Sequence, residues 1–517
     1  MANPQLFKSI RGKLLPAADG RNHEGAPAYA FAPKHRLAQY AVTGCLNGTY
    51  YASAEVQLDT LLELCREVEP RFIAQTAVYC REQGYMKDTP ALLAAVLTTR
   101  GPEYLPAVFE RVIRNGKMLR NFVQILRSGA VGRKSLGSRP KRWVQRWLNQ
   151  ASEKDLLNAA VGNMPSLADV VKMVHPKPAE LWREAFFAWL MGKTYQESAL
   201  PPITRSFEAW KRDPAGPVPD VPFQMLTALN LEAAQWAAIA RQGGWQMLRM
   251  NLNTFARHGV FEIPGMAETV AARLRDAKAI ARSGAFPYQL MVAHRAAGKG
   301  LPPVIKEALQ DALEIALANV PKVAGQVVVC PDVSGSMSSP VTGYRGSATT
   351  AVRCIDVAAL VAAALLRKNR DARVLPFETD VVDIELNPRD TVLTNAAKLA
   401  AIGGGGTNCS APLARLNREK AKADLVVFVS DNESWVDATR RGATATLKEW
   451  EQFRRRNPKA KLVCVDVQPY GTTQAAERAD ILNVGGFSDD VFRIIAAFAA
   501  GRLGPDHWVG AIEDIVL

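Results

Sequence analysis

The sequence predicts a multidomain protein: an all-α array of stacked helix pairs over residues 1–324, followed by an α/β doubly wound domain over residues 325–517. Three observations carry that expectation. Between about 55 and 320, apolar residues recur only with the period of a helix, in short segments separated by tight connections. From 326 onward, β-branched apolar runs alternate with helical segments, the pattern of a mostly parallel sheet covered by helices. The charge divides at the same place. Residues 1–324 carry 41 Lys and Arg against 27 Asp and Glu, and residues 325–517 carry 23 against 23, so the whole net charge of +14 lies upstream.

Composition narrows the function classes. A chain of 517 residues has room for roughly two to four domains, or for one elongated array plus a domain. No apolar run approaches the roughly 18 residues that cross a bilayer, and the first residues, Met1-Ala2-Asn3-Pro4-Gln5, lack a signal pattern of charge followed by an apolar stretch. The seven cysteines, at 45, 65, 80, 330, 354, 409 and 464, form no CxxC and mostly sit in apolar runs. They read as reduced, buried thiols, and a cytoplasmic location is expected. A basic half beside a neutral half points to a polyanion, nucleic acid first, with a membrane the weaker choice because no basic amphipathic terminus or lipidation motif is evident.

In chain order, residues 1–35 are rich in Pro, Gly and Ala and read as irregular. Helices are expected at about 56–68, 70–84, 89–99, 104–115, 117–128, 140–150, 153–161, 166–174, 179–190, 222–230, 232–242, 244–257, 267–282, 287–297 and 303–319. Gly or Pro punctuates many of the turns, as at Gly84, Pro90, Gly101-Pro102, Gly116, Pro178 and Pro264-Gly265. Such consecutive helices suggest HEAT-like stacking, although the sequence has no clean repeat period. In the second half, strands are expected at 326–330, 372–377, 381–386, 425–429, 461–467 and 481–484, with helices at about 348–369, 391–401, 411–421, 437–456 and 488–500.

One loop in that half carries recognisable chemistry. Behind the strand Gln326-Val327-Val328-Val329 comes Cys330-Pro331-Asp332-Val333-Ser334-Gly335-Ser336-Met337, which places one carboxylate and two hydroxyls at a strand end. Oxygen donors of this kind suit a hard divalent cation, Mg²⁺ or Mn²⁺. Asp332, Ser334 and Ser336 alone neither neutralise nor fill the shell of a dication. Thr407, after Gly403-Gly404-Gly405-Gly406, and Asp431, at the end of the apolar run 425–429, are placed to complete it. The plainer alternative makes Asp332 a cap and the serines turn residues.

The basic excess is concentrated in residues 111–152. Arg111, Arg114, Lys117, Arg120, Arg127, Arg133, Lys134, Arg139, Lys141, Arg142 and Arg146 make a net +11 in 42 residues with no acid among them. A solvated face normally mixes signs, so this belt reads as phosphate-binding. Arg111, Arg114, Lys117 and Arg120 recur every third position and share one helix face if Gly116 does not break it. The loop 131–140 adds two glycines and two hydroxyls, a mixture that wraps phosphates. Trp143 and Trp147 read as a core stripe with Val144 and Leu148, with base stacking as the less favoured alternative. Lys172, His175 and Lys177 crowd the end of a helix that starts at Ser166. His175 fits either a structural or an RNA-contacting role.

The ordered set of DxSxS, glycine loop ending in Thr, and strand-terminal Asp resembles the metal-ion-dependent adhesion site (MIDAS) of von Willebrand factor type A domains. The chain as a whole resembles the Ro ribonucleoprotein autoantigen family, a TROVE module followed by such a domain, in its bacterial form. The matching stretches are Arg36-Leu37 with Gly48-Thr49-Tyr50-Tyr51; Gly132-Arg133 with the Trp143 helix; Leu167 to His175-Pro176-Lys177-Pro178; Pro287-Tyr288-Gln289-Leu290; Asp332 to Met337; Gly405-Gly406-Thr407-Asn408-Cys409-Ser410; Ser430-Asp431-Asn432-Glu433; and Gly485-Gly486-Phe487. The resemblance implies a helical-repeat ring with a positively charged central hole. The hole would take single-stranded 3′ ends of misfolded or structured RNA, and the basic outer surface a small noncoding Y-type RNA. It implies a role in RNA quality control, processing or decay, with polynucleotide phosphorylase as an associated exonuclease. Lys172 matches a basic position of the Y RNA surface, whereas the loop from Gly132 to Lys141 is longer than in animal members.

No Walker loop, HExxH, paired nuclease-type carboxylates or defensible Ser/His/Asp set is present, so an enzyme is not expected. The competing expectation is a metal-dependent adhesion scaffold that grips an acidic partner. The charge split favours RNA binding.

Overall fold

A computed structural model describes residues 15–44, 46–214, 216–283, 285, 287–298, 300–344, 352–438, 442–504 and 506–517. At its amino end, two short antiparallel strands, β1 (Gly20–Arg21) and β2 (Pro27–Ala30), lie where the sequence reads as irregular. The β-branched run after Gln326 forms β3 (Val327–Pro331), buried at every position. It is followed by β4 (Arg373–Val374), β5 (Leu425–Ser430), β6 (Lys461–Asp466), β7 (Thr472–Thr473) and β8 (Ile481–Gly485). Five of these strands form one all-parallel sheet of order β4-β3-β5-β6-β8.

Parallel strands covered on both faces must be apolar along their whole length, and these are. On one face Val328, Cys330, Val426, Phe428, Leu462 and Cys464 pack against Leu413 and Leu416 of the Ala411–Arg418 helix and against Leu447, Trp450 and Phe453 of the Ala445–Arg456 helix. The Cys354–Lys368 helix, buried at thirteen positions, packs against β3 and β5. Residues 381–386 do not form the expected strand. Val381 makes one isolated bridge to Phe377, and the exposed Asp383 and Glu385 continue with no sheet neighbour. The amino-terminal parts of the expected helices 348–369 and 437–456 extend into residues outside those described, and the described helices begin at Cys354 and Ala445.

The compact units do not follow a boundary at 324/325. Residues 1–68 group with 318–515, and residues 69–317 with 516–517. The physical reason is sheet and helix packing over very long sequence separation. β2 pairs antiparallel with β7, and the Pro33–Thr43 helix lies against β8. That approach needs Gly485, where an added Cβ would fall 3.2 Å from both Gln39 Cγ and Thr43 Cγ2. Lys34 closes the contact with an ion pair to Glu513 at 2.6 Å.

The second unit is helical throughout its described residues. Its elements include Pro70–Glu82, Asp88–Arg100, Leu105–Val112, Gly116–Ser128, Ser138–Gln150, Glu153–Ala160, Leu167–Val174 and Leu181–Leu190, and the last long one is Pro303–Ala316. Sequence neighbours pack on one another, as Pro70–Glu82 does on Asp88–Arg100, and Pro287–Arg295 on Pro303–Ala316. Polar caps set the starts. Asn115 accepts from Met118 N, Ser152 from Asp155 N, and Ser166 and Asp169 form a capping box. The helix expected at 222–230 is a single turn, Phe223–Leu226, and the one at 244–257 breaks at Asn251. The six described cysteines are buried, while Cys45 lies outside the described residues. No helix of the described residues is long and apolar enough to cross a membrane.

The charge split persists across the compact units. Residues 69–317 and 516–517 hold 33 Lys and Arg against 21 Asp and Glu, a net of +12, which leaves +2 for the other unit.

Candidate nucleic-acid interface and cation site

In the sheet-containing unit, Asp332 leaves β3 and Asp431 leaves β5 at the carboxyl ends of adjacent parallel strands, where open sheets gather ligands. Both carboxylates are buried. Asp332 accepts from Ser334 N at 2.9 Å and from the Ser430 hydroxyl, while Ser334 Oγ and Ser336 Oγ lie 3.5 Å apart. Ser336 in turn hydrogen-bonds Asp431. Thr407 is buried at the end of the glycine loop. Its carbonyl takes the Trp435 and Val436 amides at 3.0 and 3.1 Å and the Ser434 hydroxyl at 3.3 Å. The glycine loop locks onto the first loop through Gly335 N to Gly405 O at 3.2 Å and Gly404 N to Val333 O at 3.0 Å. Gly405, at φ 73°, lies in the left-handed region that favours glycine, and a Cβ there would have to push the Glu378 carboxylate aside.

Burial, and then the charge of Asp431, push the Asp332 carboxyl up to about 7. Burial likewise raises Asp431. Neither has an ion pair with a basic side chain among the described residues. Two buried carboxylates without a cation are electrostatically unfavourable, and a dication would relieve that. No three His, Cys, Asp or Glu side chains gather at ligand geometry among the described residues, so a cation here depends on the hydroxyls of Ser334, Ser336 and Thr407. The five residues fit Mg²⁺ or Mn²⁺, which accept such mixed oxygen donors.

Two further carboxylates escaped the sequence reading. Glu433 is fully buried and pushed up to about 9, first by burial and then by Asp431. Its Oε2 accepts from His23 N at 2.7 Å, and Asn22 reaches the next residue, donating to Ser434 O at 2.7 Å. Asp466 ends β6 and accepts from the Gln39 amide. A strand-terminal Asp after Leu462-Val463-Cys464-Val465 repeats the pattern at Asp332, and that signal could have found it.

In the helical unit the belt does not behave as a block. The expected single face over 111–120 is broken, because Leu105–Val112 ends and Gly116–Ser128 starts anew with Asn115 as its cap. Arg111 and Arg114 both pair with Glu82, at 2.7 and 2.5 Å, which spends part of their charge inside the fold. Arg120 is only 8% exposed, and its guanidinium donates to Val161 O at 2.6 Å and Pro165 O at 3.4 Å. It is an internal strut and is not an RNA-contacting residue. Arg133 ties its own loop to the Asp88–Arg100 helix, donating to Ser135 O at 3.1 Å and Thr98 O at 3.4 Å.

The rest of the belt is accessible. Lys117, Arg127, Lys134, Arg139, Lys141 and Arg142 are exposed or half-buried and have no ion pair among the described residues. Arg139, Arg142 and Arg146 line one open groove of about 530 Å³ together with Trp143. Only Val144 and Leu148 form the expected buried stripe, since Trp143 and Trp147 are half-buried. Beside this helix sits the end of Leu167–Val174. His175 caps it in a left-handed conformation, φ 50°, and Lys172, His175 and Lys177 are all exposed.

Residues 326–499 match the family model described as the Ro60 vWA domain. Over 520 aligned residues the chain is 26% identical to the RNA-binding protein RO60 of Deinococcus radiodurans, covering 93% of this chain and 96% of that relative. It is 22% identical over 249 residues to the RNA-binding protein RO60 of Caenorhabditis elegans, an alignment that spans 46% of this chain and 37% of that one. The crystal structure of the Deinococcus radiodurans RO (RSR) protein is similar in fold, with a TM-score of 0.63 at 22% identity, covering 91% of this chain and 100% of that one.

Proposed function

We propose that this protein, whose residues 326–499 match the Ro60 vWA family model and which is similar along most of its length to a bacterial RNA-binding protein RO60, binds RNA and carries no catalytic activity of its own. The observation that carries the reading is the surface of unpaired cations on the helical unit. Lys117, Arg127, Lys134, Arg139, Lys141, Arg142, Lys172 and Lys177 make no close ion pair within the described fold, although Asp169 is near enough to feel Arg127 and Lys172, and they sit in the unit that holds +12 of the net charge. Such a surface attracts a polyphosphate and releases its counterions on binding.

More narrowly, the RNA on this surface is a small noncoding Y-type RNA, and single-stranded 3′ ends of misfolded RNA enter the central hole that the resemblance implies. The protein serves RNA quality control in the cytoplasm, with polynucleotide phosphorylase as the partner exonuclease. Support for these finer statements is the family resemblance together with the basic surface.

A second reading rests on the buried Asp332–Asp431 pair. Asp332, Ser334, Ser336, Thr407 and Asp431 would hold Mg²⁺ or Mn²⁺, and the cation would offer a position to an acidic group of a protein partner. The two readings involve different units and are compatible.

Sequencing the RNAs that copurify with the protein from its own cells tests the proposal. Enrichment of a few small structured RNAs is the expected result. RNA recovered only in proportion to cellular abundance would contradict it.

A further inference from the structure

We propose that the groove around Trp143 is a binding site for a single unpaired nucleotide, guanosine ahead of adenosine, within the RNA that the belt engages. This rests on the RNA-binding reading and adds to it a base-recognising site.

Trp143 lies on the Ser138–Gln150 helix but outside its buried stripe. Phe109 supports it from behind, with ring centroids 5.8 Å apart and planes tilted by 39°. The Arg146 guanidinium lies over the Trp143 ring, 5.0 Å from its centroid, so an incoming base must displace it from that face. Arg146 also pairs with Glu110 at 3.1 Å, but these side chains are 51% and 56% exposed, so the pair is water-screened and displaceable. Arg139 and Arg142 complete the basic lining without ion pairs among the described residues. Pro102 and Pro106 make rigid apolar walls. The volume of about 530 Å³ falls inside the roughly 300–1,000 Å³ range of small-ligand pockets.

A nucleotide presents an apolar π face joined to an anionic phosphate. The groove offers the complement of both once Arg146 swings off the ring onto the phosphate: an indole face for the base and guanidiniums for the anion. A base in a duplex has both faces already stacked, so the site selects unpaired nucleotides. Glu103 is the one carboxylate in the lining, and it is exposed. A carboxylate accepts two parallel N–H donors. Guanine presents two adjacent donors, N1–H and N2–H, on its pairing edge, whereas adenine presents one donor beside an acceptor. Guanosine is therefore preferred.

The test uses the full chain and labelled uridine-rich oligoribonucleotides carrying one central guanosine or one adenosine, with a blunt duplex of equal length as reference. Trp143→Ala should weaken single-strand binding by roughly 5- to 100-fold, the range of one base-aromatic stack, with the salt dependence and duplex affinity unchanged. Trp143→Phe should recover most of the loss, and Glu103→Gln should narrow the guanosine preference. Wild-type affinity of Trp143→Ala for single strands, or an equal loss on duplex, would overturn the nucleotide site while leaving RNA binding intact. A wild-type chain that binds none of these RNAs and no tailed structured RNA would overturn the RNA-binding reading itself.

Discussion

The side-chain amide of Gln145 donates to Val174 O at 2.6 Å and reaches His175 O at 3.3 Å, and Asn149 adds a bond to Lys177 O at 3.4 Å. Two basic regions some thirty residues apart in sequence are thereby laid side by side, with Lys141 and Arg142 next to the segment that carries His175 and Lys177. Gln145→Leu should cost about 1 kcal/mol of stability for the lost bond. It should weaken binding of a structured small RNA several-fold through displacement of 175–177, with no change in salt slope because no charge is removed. Thermal melting and salt-dependent titration read both. Unaltered RNA affinity would show that the 175–177 segment lies off the RNA path.

Arg120 gives the opposite signature. Arg120→Met leaves the carbonyls of Val161 and Pro165 without their charged donor, at a cost of about 1–3 kcal/mol. The slope of log affinity against log salt should stay at the wild-type value. A reduced slope in a folded Arg120→Met protein would place that guanidinium on RNA after all.

The cation site has a pH signature. Asp332 is held up to about 7 and Asp431 is also raised, so the folded metal-free chain keeps protons that the unfolded chain releases above about 4. Its stability contribution is complete below that pH and is lost as pH rises through about 7. Raising pH from 5 to 8 should therefore lower the melting temperature of the metal-free protein. Millimolar Mg²⁺ or Mn²⁺ should restore it most at pH 8, and Asp332→Asn should reduce the slope, leaving the part due to Glu433 and Glu477, and abolish the cation effect. A melting temperature indifferent to both cations at pH 8 would remove the metal from this account.

The amino-terminal segment is an integral part of the sheet-containing unit. Without residues 15–43, β7 loses its partner β2, Asp466 its Gln39 and Glu433 its contact with His23. The fragment 325–517 alone should melt without a cooperative transition and should expose apolar surface to a hydrophobic dye. A cooperative melt matching the full chain would reduce the segment to a surface attachment.

These differences mark where the sequence was legible. Runs such as Val327-Val328-Val329 and Leu425-Val426-Val427 announce buried parallel strands whatever surrounds them, and the Asp332 to Ser336 loop is readable because its ligands are adjacent in sequence. The amino-terminal segment was not readable, because strands of two and four residues carry almost no period and the partner that ties β2 to the sheet-containing unit, β7, is more than 400 residues away. The belt was half readable. Charge density locates a phosphate surface, but nothing in the sequence says that Arg120 turns inward to two carbonyls or that Glu82 captures Arg111 and Arg114. Trp143 was misplaced because four-residue spacing with Trp147 marks a shared stripe, whereas the buried face falls on Val144 and Leu148.

The most direct test of RNA binding by the helical unit is a salt titration of full-length protein with Arg139, Lys141 and Arg142 all changed to alanine, against a tailed structured RNA. Each phosphate contact contributes about 0.7 to the slope of log affinity against log salt. The account predicts that the triple variant, with an unchanged melting temperature, loses about 2 from the wild-type slope. A slope equal to wild type would make these three residues solvated surface and would contradict the assignment of RNA to this face.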